Sequence, residues 1–270
     1  MIDTAGNSNM LCVVGDVWGV TQLHDVIYMV SWQSTVIRRY NATTLRRMAD
    51  IDVEDLIVPR DIAACEETSQ LYLADWGPLS VWRVSADGAD IQRWLPMSPD
   101  DTFKPWTLSV TSTRLLVTSY DTCQLIQFDA DGDELRRVQL SLDVEQEHAV
   151  ESPTGTFIIG LYNKQLKQNQ VVEVDTGGEV LRQFSGSPLL SLGLAPHAAV
   201  DSNGNVFVVD EDNHRILLLD AHLSLRRVII DEHQLYPDEP PANNWPRRLC
   251  YVREKLLVGL YRGFAKFDVL

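Results

Sequence analysis

The sequence predicts an all-β fold, a six-bladed β-propeller, from three features. An apolar seven-residue segment recurs six times, tight polar turns follow most copies of it, and an apolar strand pattern containing arginine follows most of those turns. Repeats of about 40 to 50 residues that each hold four strand-like segments are typical of propeller blades. With 270 residues, 45% of them apolar, the chain can bury a large core. We therefore expect one propeller domain over residues 1–270, with four-stranded antiparallel blades.

The recurring segment supplies the second strand of each blade. Each copy is a short apolar run bounded by turn residues, which favours a strand buried on both faces over a helix. Successive copies start 42 to 50 residues apart. The six copies are residues 26–32, 70–76, 114–120, 156–162, 205–211 and 255–261.

Three further series supply the other strands. Proline opens a short strand before four of the segments, at Pro59, Pro105, Pro196 and Pro246. A third strand follows each segment, and several of these end in Asp-Gly or Gly-Gly pairs, which provide the positive φ that tight hairpins require. The fourth strand is predicted at residues 45–48, 91–94, 135–138, 181–184 and 225–228. Each period thus holds four strands, called a to d in chain order.

The fourth series lacks a sixth member, because the chain stops at residues 267–270, where the last turn would begin. Residues 2–6 resemble such a turn and residues 10–14 resemble its strand. We therefore predict that the N-terminal strand completes the last blade and closes the ring. Closure removes an unpaired strand edge that would otherwise invite aggregation.

One repeat resembles a known family. Residues 195–220 contain a proline, an apolar strand, Asp201-Ser-Asn-Gly204, a strand ending in Asp210, and Asn213-His-Arg-Ile216, a pattern similar to the NHL repeat. The resemblance implies a six-bladed propeller. It also implies several possible functions. Some NHL domains bind RNA or protein, whereas related six-bladed propellers include calcium-dependent lactonases of the gluconolactonase class and a zinc- and calcium-dependent lyase.

Composition limits the partners. The formal net charge of −15 repels nucleic acid phosphates, so nucleic acid is an unlikely partner. No run approaches 18 uninterrupted apolar residues, and the N-terminus carries no targeting pattern, so we expect no membrane partner and a cytoplasmic location.

The face on which the d-to-a and b-to-c loops open is the predicted binding surface. Aromatic and arginine side chains dominate binding hot spots, and both kinds cluster at these loops. The predicted binding residues are Trp18, Arg60, Trp106, His148, His197 and Arg247 after the d-to-a loops, and Trp32, Trp76, Tyr120, Tyr162 and Tyr261 at the ends of strand b. The alternative for the strand-b residues is packing between neighbouring blades.

Catalysis and metal binding are the competing interpretation. His148 and His197 occupy matching positions in adjacent blades, but catalytic zinc normally has three protein ligands, and no third histidine lies at the equivalent place. A calcium lactonase would open its first blade with glutamate, and residues 15–19 contain none. We therefore assign no catalytic residue, metal or cofactor, and we expect a non-enzymatic scaffold that binds a protein or peptide. The alternative is a calcium- or zinc-dependent lactonase, hydrolase or lyase.

Overall fold

Six four-stranded antiparallel sheets follow one another around a ring in the computed structural model, which confirms the predicted all-β six-bladed propeller. The structure describes residues 9–12, 16–96, 102–119, 121–187, 190–193, 197–236 and 244–269. Five blades run in chain order from an innermost strand a to an outermost strand d, and in the sixth the N-terminal strand takes the place of strand d.

The first three blades have these strands: β2 (Val17–Leu23), β3 (Val26–Ser31), β4 (Val36–Asn41) and β5 (Ile51–Asp52); β6 (Pro59–Cys65), β7 (Gln70–Asp75), β8 (Ser80–Ser85) and β9 (Ile91–Pro96); β10 (Pro105–Thr111), β11 (Arg114–Ser119), β12 (Gln124–Phe128) and β13 (Glu134–Gln139). The fourth and fifth blades have β14 (Val144–Glu151), β15 (Phe157–Asn163), β16 (Gln168–Val174) and β17 (Val180–Phe184), then β20 (Ala198–Val200), β21 (Val206–Asp210), β22 (Arg215–Leu219) and β23 (Leu225–Ile230). The sixth has β24 (Pro246–Val252), β25 (Lys255–Leu260), β26 (Gly263–Asp268) and β1 (Asn9–Cys12).

The N-terminal strand closes the ring as predicted. Strand β1 pairs antiparallel with β26, with Asn9 opposite Lys266 and Cys12 opposite Gly263. The predicted strand over residues 10–14 therefore begins one residue earlier, and its last two residues lie outside the described ones. The sixth blade thus combines the two ends of the chain.

The core is divided among the interfaces between blades. In the described part of the chain, six clusters of buried apolar side chains occur, one between each pair of adjacent blades. One of them joins Val17 and Met29 of the first blade to Leu257 and Phe264 of the sixth. Every sheet is therefore covered on both faces, which explains why strand b has a continuous apolar sequence.

The first blade departs from the predicted strand pattern. Residues 45–48 do not form its strand d, which is instead β5, a few residues later. The side chain of Asn41 accepts backbone hydrogen bonds from Thr43 and Thr44, at 3.1 and 2.8 Å, and Leu45 adopts a φ of +53°. This wide turn uses up the residues that the repeat assigns to the strand.

Two short elements occupy d-to-a connections. Strands β18 (Gly186–Ser187) and β19 (Leu190–Ser191) form a small hairpin after the fourth blade. Helix α1 (Glu232–Leu235) follows the fifth and is capped by Asp231. Within the described ranges, no helix has the length and apolar character needed to cross a membrane.

Candidate functional site

A β-bulge near the start of strand a sets the positions of the candidate site residues. Pairing between strands a and b skips a residue after Val17, Pro59, Gln146 and Pro246, and two residues after Pro105. A bulge leaves the extra residue unpaired and changes the direction of its side chain. The residues in the bulges are Trp18, Arg60, Trp106, Glu147 and Arg247, with Thr107 also unpaired in the third blade.

One residue near the start of strand a in each blade contributes to a ring around the central channel, which we call the channel ring. It contains Gly19, Asp61, Thr107, His148, His197 and Arg248, one residue from each blade. His197 belongs to it because its carbonyl accepts the amide of Val209 at 2.8 Å, next to the pair formed by Ala198 and Val208.

A cavity of about 400 Å³ lies on one side of the channel ring. Strand a of every blade lines it, from the ring down to the a-to-b turns, where the exposed Glu66 and Glu67 stand at its edge. Asp61, His148, His197 and Arg248 form its inner end. The residues in the bulges lie on the opposite side and do not line it. A volume of this size suits a small-molecule ligand.

Asp61, His148 and His197 come together at the inner end of the cavity. All three side chains are buried, and one potential ligand atom from each lies within 4.8 Å of the others. The two imidazole rings stack with their centroids 3.5 Å apart. Asp61 is held in place by the amides of Ile62 and Leu108, each 2.9 Å from a carboxylate oxygen.

Burial sets the protonation of these groups. Burial, with the nearby Arg248 cation, lowers the pKa of His148 to about 3. Burial and the neighbouring His148 also lower the pKa of His197 well below its usual value. Burial raises the pKa of Asp61 to about 6, against the opposing effects of Arg248 and the two backbone hydrogen bonds. At neutral pH both imidazoles are therefore uncharged and Asp61 is mostly ionised.

Each histidine keeps one buried ring nitrogen without a hydrogen-bond partner among the described residues, Nδ1 of His148 and Nε2 of His197. The other nitrogen of His197, Nδ1, lies 3.4 Å from the amide of Leu249. Buried polar atoms without partners are uncommon in proteins, and at a cavity wall they indicate a place for a ligand or an ion.

On the other side of the channel ring, four tryptophans surround Arg60. The guanidinium carbon lies 4.3 Å from the ring centroid of Trp106, 4.4 Å from Trp18, 4.5 Å from Trp32 and 5.2 Å from Trp76. We call these five residues the tryptophan cage. Its members come from the first three blades, and Arg60 is only 9% exposed.

Arg247 extends the tryptophan cage towards the sixth blade. Its guanidinium carbon lies 5.1 Å from the ring of Trp18 and 5.3 Å from that of Tyr261, and it forms an ion pair with Glu211 at 3.3 Å. This side of the ring is therefore aromatic and cationic, whereas the cavity side carries the histidines and Asp61.

The predicted binding residues thus separate into two groups. The structure brings together Trp18, Trp32, Trp76, Arg60 and Trp106, with Arg247 and Tyr261 beside them. His148 and His197 lie instead in the channel ring. Tyr162 lies near the end of strand β15, opposite Glu145, and is not part of the tryptophan cage, and Tyr120 lies outside the described residues. Trp76 is 37% exposed, so it is not a wedge buried between blades.

Sequence reasoning missed Asp61 and Arg248. It aligned Arg60 with His148, whereas the bulge makes Asp61 the equivalent residue. The apolar residues of strand a could have given the correct alignment. Asp61 directly precedes Ile-Ala-Ala and His197 directly precedes Ala-Ala-Val, so these two residues are equivalent.

Comparison with known proteins identifies relatives by structure alone. No protein-family model matches the chain, and no curated protein matches its sequence. The NHL repeat therefore remains a resemblance. Among solved structures, a gluconolactonase from Xanthomonas campestris has a TM-score of 0.74 at 11% identity, over 98% of this chain and 90% of that one. A putative gluconolactonase has a TM-score of 0.74 at 9% identity, over 99% and 93%.

A second group of similar structures consists of lyases. A catalytically inactive histidine-to-alanine variant of virginiamycin B lyase from Staphylococcus aureus, with quinupristin, has a TM-score of 0.65 at 11% identity, over 98% of this chain and all of that one. At these identities the likeness shows the six-bladed fold. The prediction of a non-enzymatic scaffold is wrong, because these neighbours are enzymes, and they favour the alternative of an enzymatic propeller.

Proposed function

We propose that this chain is a metal-dependent hydrolase or lyase whose active site is the inner end of the central cavity. The observation that carries the proposal is the buried cluster of Asp61, His148 and His197. Two neutral imidazoles and one carboxylate, converging at the end of a cavity, are a ligand set used by catalytic metal sites that leave a coordination position open.

The donor atoms favour a borderline divalent metal, such as zinc, over calcium. Calcium takes six to eight oxygen ligands, whereas two of the three groups here offer nitrogen. The unpartnered nitrogens of His148 and His197 would hold the ion together with Asp61. Because burial keeps both histidines neutral, their lone pairs are available at neutral pH.

When bound, such a metal polarises a carbonyl and lowers the pKa of a coordinated water. The chain itself supplies orientation and charge around that position. Two backbone amides orient Asp61, and Arg248 is fixed at the channel ring by donating to the carbonyls of Trp18 and Arg247, at 2.9 and 3.1 Å. The positive charge of Arg248 would stabilise an anionic oxygen on a substrate in the cavity.

A small lactone is the substrate class to test first. A cavity of about 400 Å³ accommodates a molecule of that size. Two proteins of similar structure are described as a gluconolactonase and a putative gluconolactonase. Ring opening of a cyclic ester is therefore the first reaction to examine.

The experiment measures metal content and hydrolysis together. Purified protein is analysed for bound metals, then assayed on a panel of lactones before and after EDTA, with zinc, manganese or calcium added back. We expect about one borderline metal ion per chain, activity lost with EDTA and restored by zinc or manganese. Metal-free protein whose lactone hydrolysis is unaffected by EDTA, or activity restored by calcium alone, would contradict the proposal.

A further inference from the structure

Buried hydrogen-bond donors without partners mark the tryptophan cage. The Nε atom of Arg60 and the Nε1 atom of Trp18 are both buried without a partner among the described residues. No described carboxylate forms an ion pair with Arg60, although the residue is only 9% exposed. Both orphaned groups are donors, so what is absent from their surroundings is an acceptor.

The surrounding rings do not provide that acceptor. A guanidinium donates through N–H groups that lie in its own plane, whereas an aromatic face interacts with its charge. The four rings therefore hold the side chain of Arg60 in place, while its Nε–H has no acceptor among the described residues. A fixed guanidinium whose Nε–H lacks an acceptor is well suited to bind a carboxylate through two parallel hydrogen bonds.

The charges around Arg60 also favour binding of an anion. Burial, together with the cations of Arg248 and Arg247, lowers the pKa of Arg60 to about 10, and only Glu147 opposes this. Glu147 interacts with the side chain of Trp106, and Glu211 is paired with Arg247. Neither acid neutralises Arg60 directly.

We propose that the tryptophan cage is a binding site for the carboxylate of a small organic molecule, with Arg60 and the indole N–H of Trp18 as its donors. The partly exposed ring of Trp76 offers an apolar surface for the rest of that molecule. This site lies on the opposite side of the channel ring from the cavity, so it does not depend on the proposed catalytic metal.

The test compares two probes that differ only in charge at one group. Benzoate and its neutral counterpart benzamide are titrated into the wild-type protein, previously treated with EDTA, by isothermal titration calorimetry. We expect saturable binding of benzoate with a Kd of about 1 mM or tighter, and binding of benzamide at least about tenfold weaker, because a charge-assisted hydrogen bond is worth that factor.

Variants locate the site. Arg60→Met should weaken benzoate binding at least about tenfold, since both hydrogen bonds and the charge are lost. Arg60→Lys, which keeps the charge and the fit between the rings, should weaken it by several fold, because an ammonium cannot form the two parallel bonds. The matched control is Arg93→Met, which removes an exposed arginine stacked on Trp82 at 5.2 Å and should change nothing.

Three results would overturn the proposal. These are equal binding of benzoate and benzamide, benzoate binding that is unchanged in both Arg60 variants, and inorganic phosphate binding tighter than benzoate. The wild-type comparison stands even if Arg60→Met does not fold. Loss of lactone hydrolysis, or failure to detect it, would leave these binding results untouched.

Discussion

Arg60 and Asp61 are neighbours in the chain, yet they lie in opposite chemical environments. Asp61 belongs to the channel ring, where two amides satisfy it and two neutral histidines lie beside it. Arg60, within the bulge, points to the other side and is enclosed by indole rings without a counter-ion in the described part of the chain. One bulge thus separates the proposed metal ligands from the proposed anion site, and it shows how adjacent residues of a repeated strand can present different chemistry.

Removing one histidine of the proposed metal site should have the largest effect. His148→Ala should lower the affinity for zinc by at least about 100-fold, since changes even to groups that only support a ligand lower metal affinity 10- to 100-fold. Benzoate binding should stay within about twofold of wild type, because His148 lies on the other side of the ring. His222→Ala, which removes an exposed histidine, is the control. Competition with a zinc-sensitive chelator dye measures the affinity. If His148→Ala weakened zinc binding and benzoate binding equally, the two sides of the channel ring would form one site.

The spacing of the channel ring can be tested at its smallest member. A Cβ atom on Gly19 would lie 2.7 Å from the amide nitrogen of Ile62 and 3.0 Å from the backbone of Asp61. Gly19→Ala should therefore push the first two blades apart, lowering the free energy of unfolding by roughly 1–3 kcal/mol. We expect a lower Tm and weaker zinc binding.

Gly177→Ala, at an exposed glycine that has only the side chain of Asp175 nearby, should have little effect on Tm. If Gly19→Ala has the same Tm and zinc affinity as wild type, the close approach of the two blades at Asp61 is not required for the site.

The smallest expected effect concerns the cationic side. Glu211 pairs with Arg247, and both side chains are largely buried. Glu211→Gln should release that cation and strengthen benzoate binding roughly threefold, the size of effect that a partly exposed ion pair produces. Glu179→Gln, an exposed glutamate in the fourth blade, makes the same change in net charge and should leave the calorimetric Kd unchanged. Weaker binding in Glu211→Gln would mean that Glu211 positions the cage and does not compete with the anion.

The sequence was sufficient to predict the blades and their closure because those features depend on packing that repeats. Apolar segments recur wherever a strand is covered on both faces, and the missing sixth strand d had only one place to come from. The site depends on departures from the repeat. Because the bulge shifts the register by one residue, an alignment based on the opening prolines matched Arg60, not Asp61, with His197.

Side-chain groupings across blades were harder still to predict. Trp32 follows strand b of the first blade and Trp76 follows that of the second, so their common contact with Arg60 depends on how two blades are inclined to each other. A linear pattern shows that both residues are aromatic and end equivalent strands. It does not show that an arginine lies between them.

Pairing of β1 with β26 has a consequence for how the protein is made. During synthesis on the ribosome, Asn9–Cys12 emerges before the first five blades and its partner Gly263–Asp268 after them, so five blades can form while β1 still lacks its partner. Contacts between segments so distant in sequence form slowly, and an unpaired edge exposed in the meantime promotes association with other chains. We therefore expect pairing of β1 with β26 to limit the yield of folded protein. The yield should depend on temperature and chaperone supply during expression more strongly than the stability of the closed propeller would suggest.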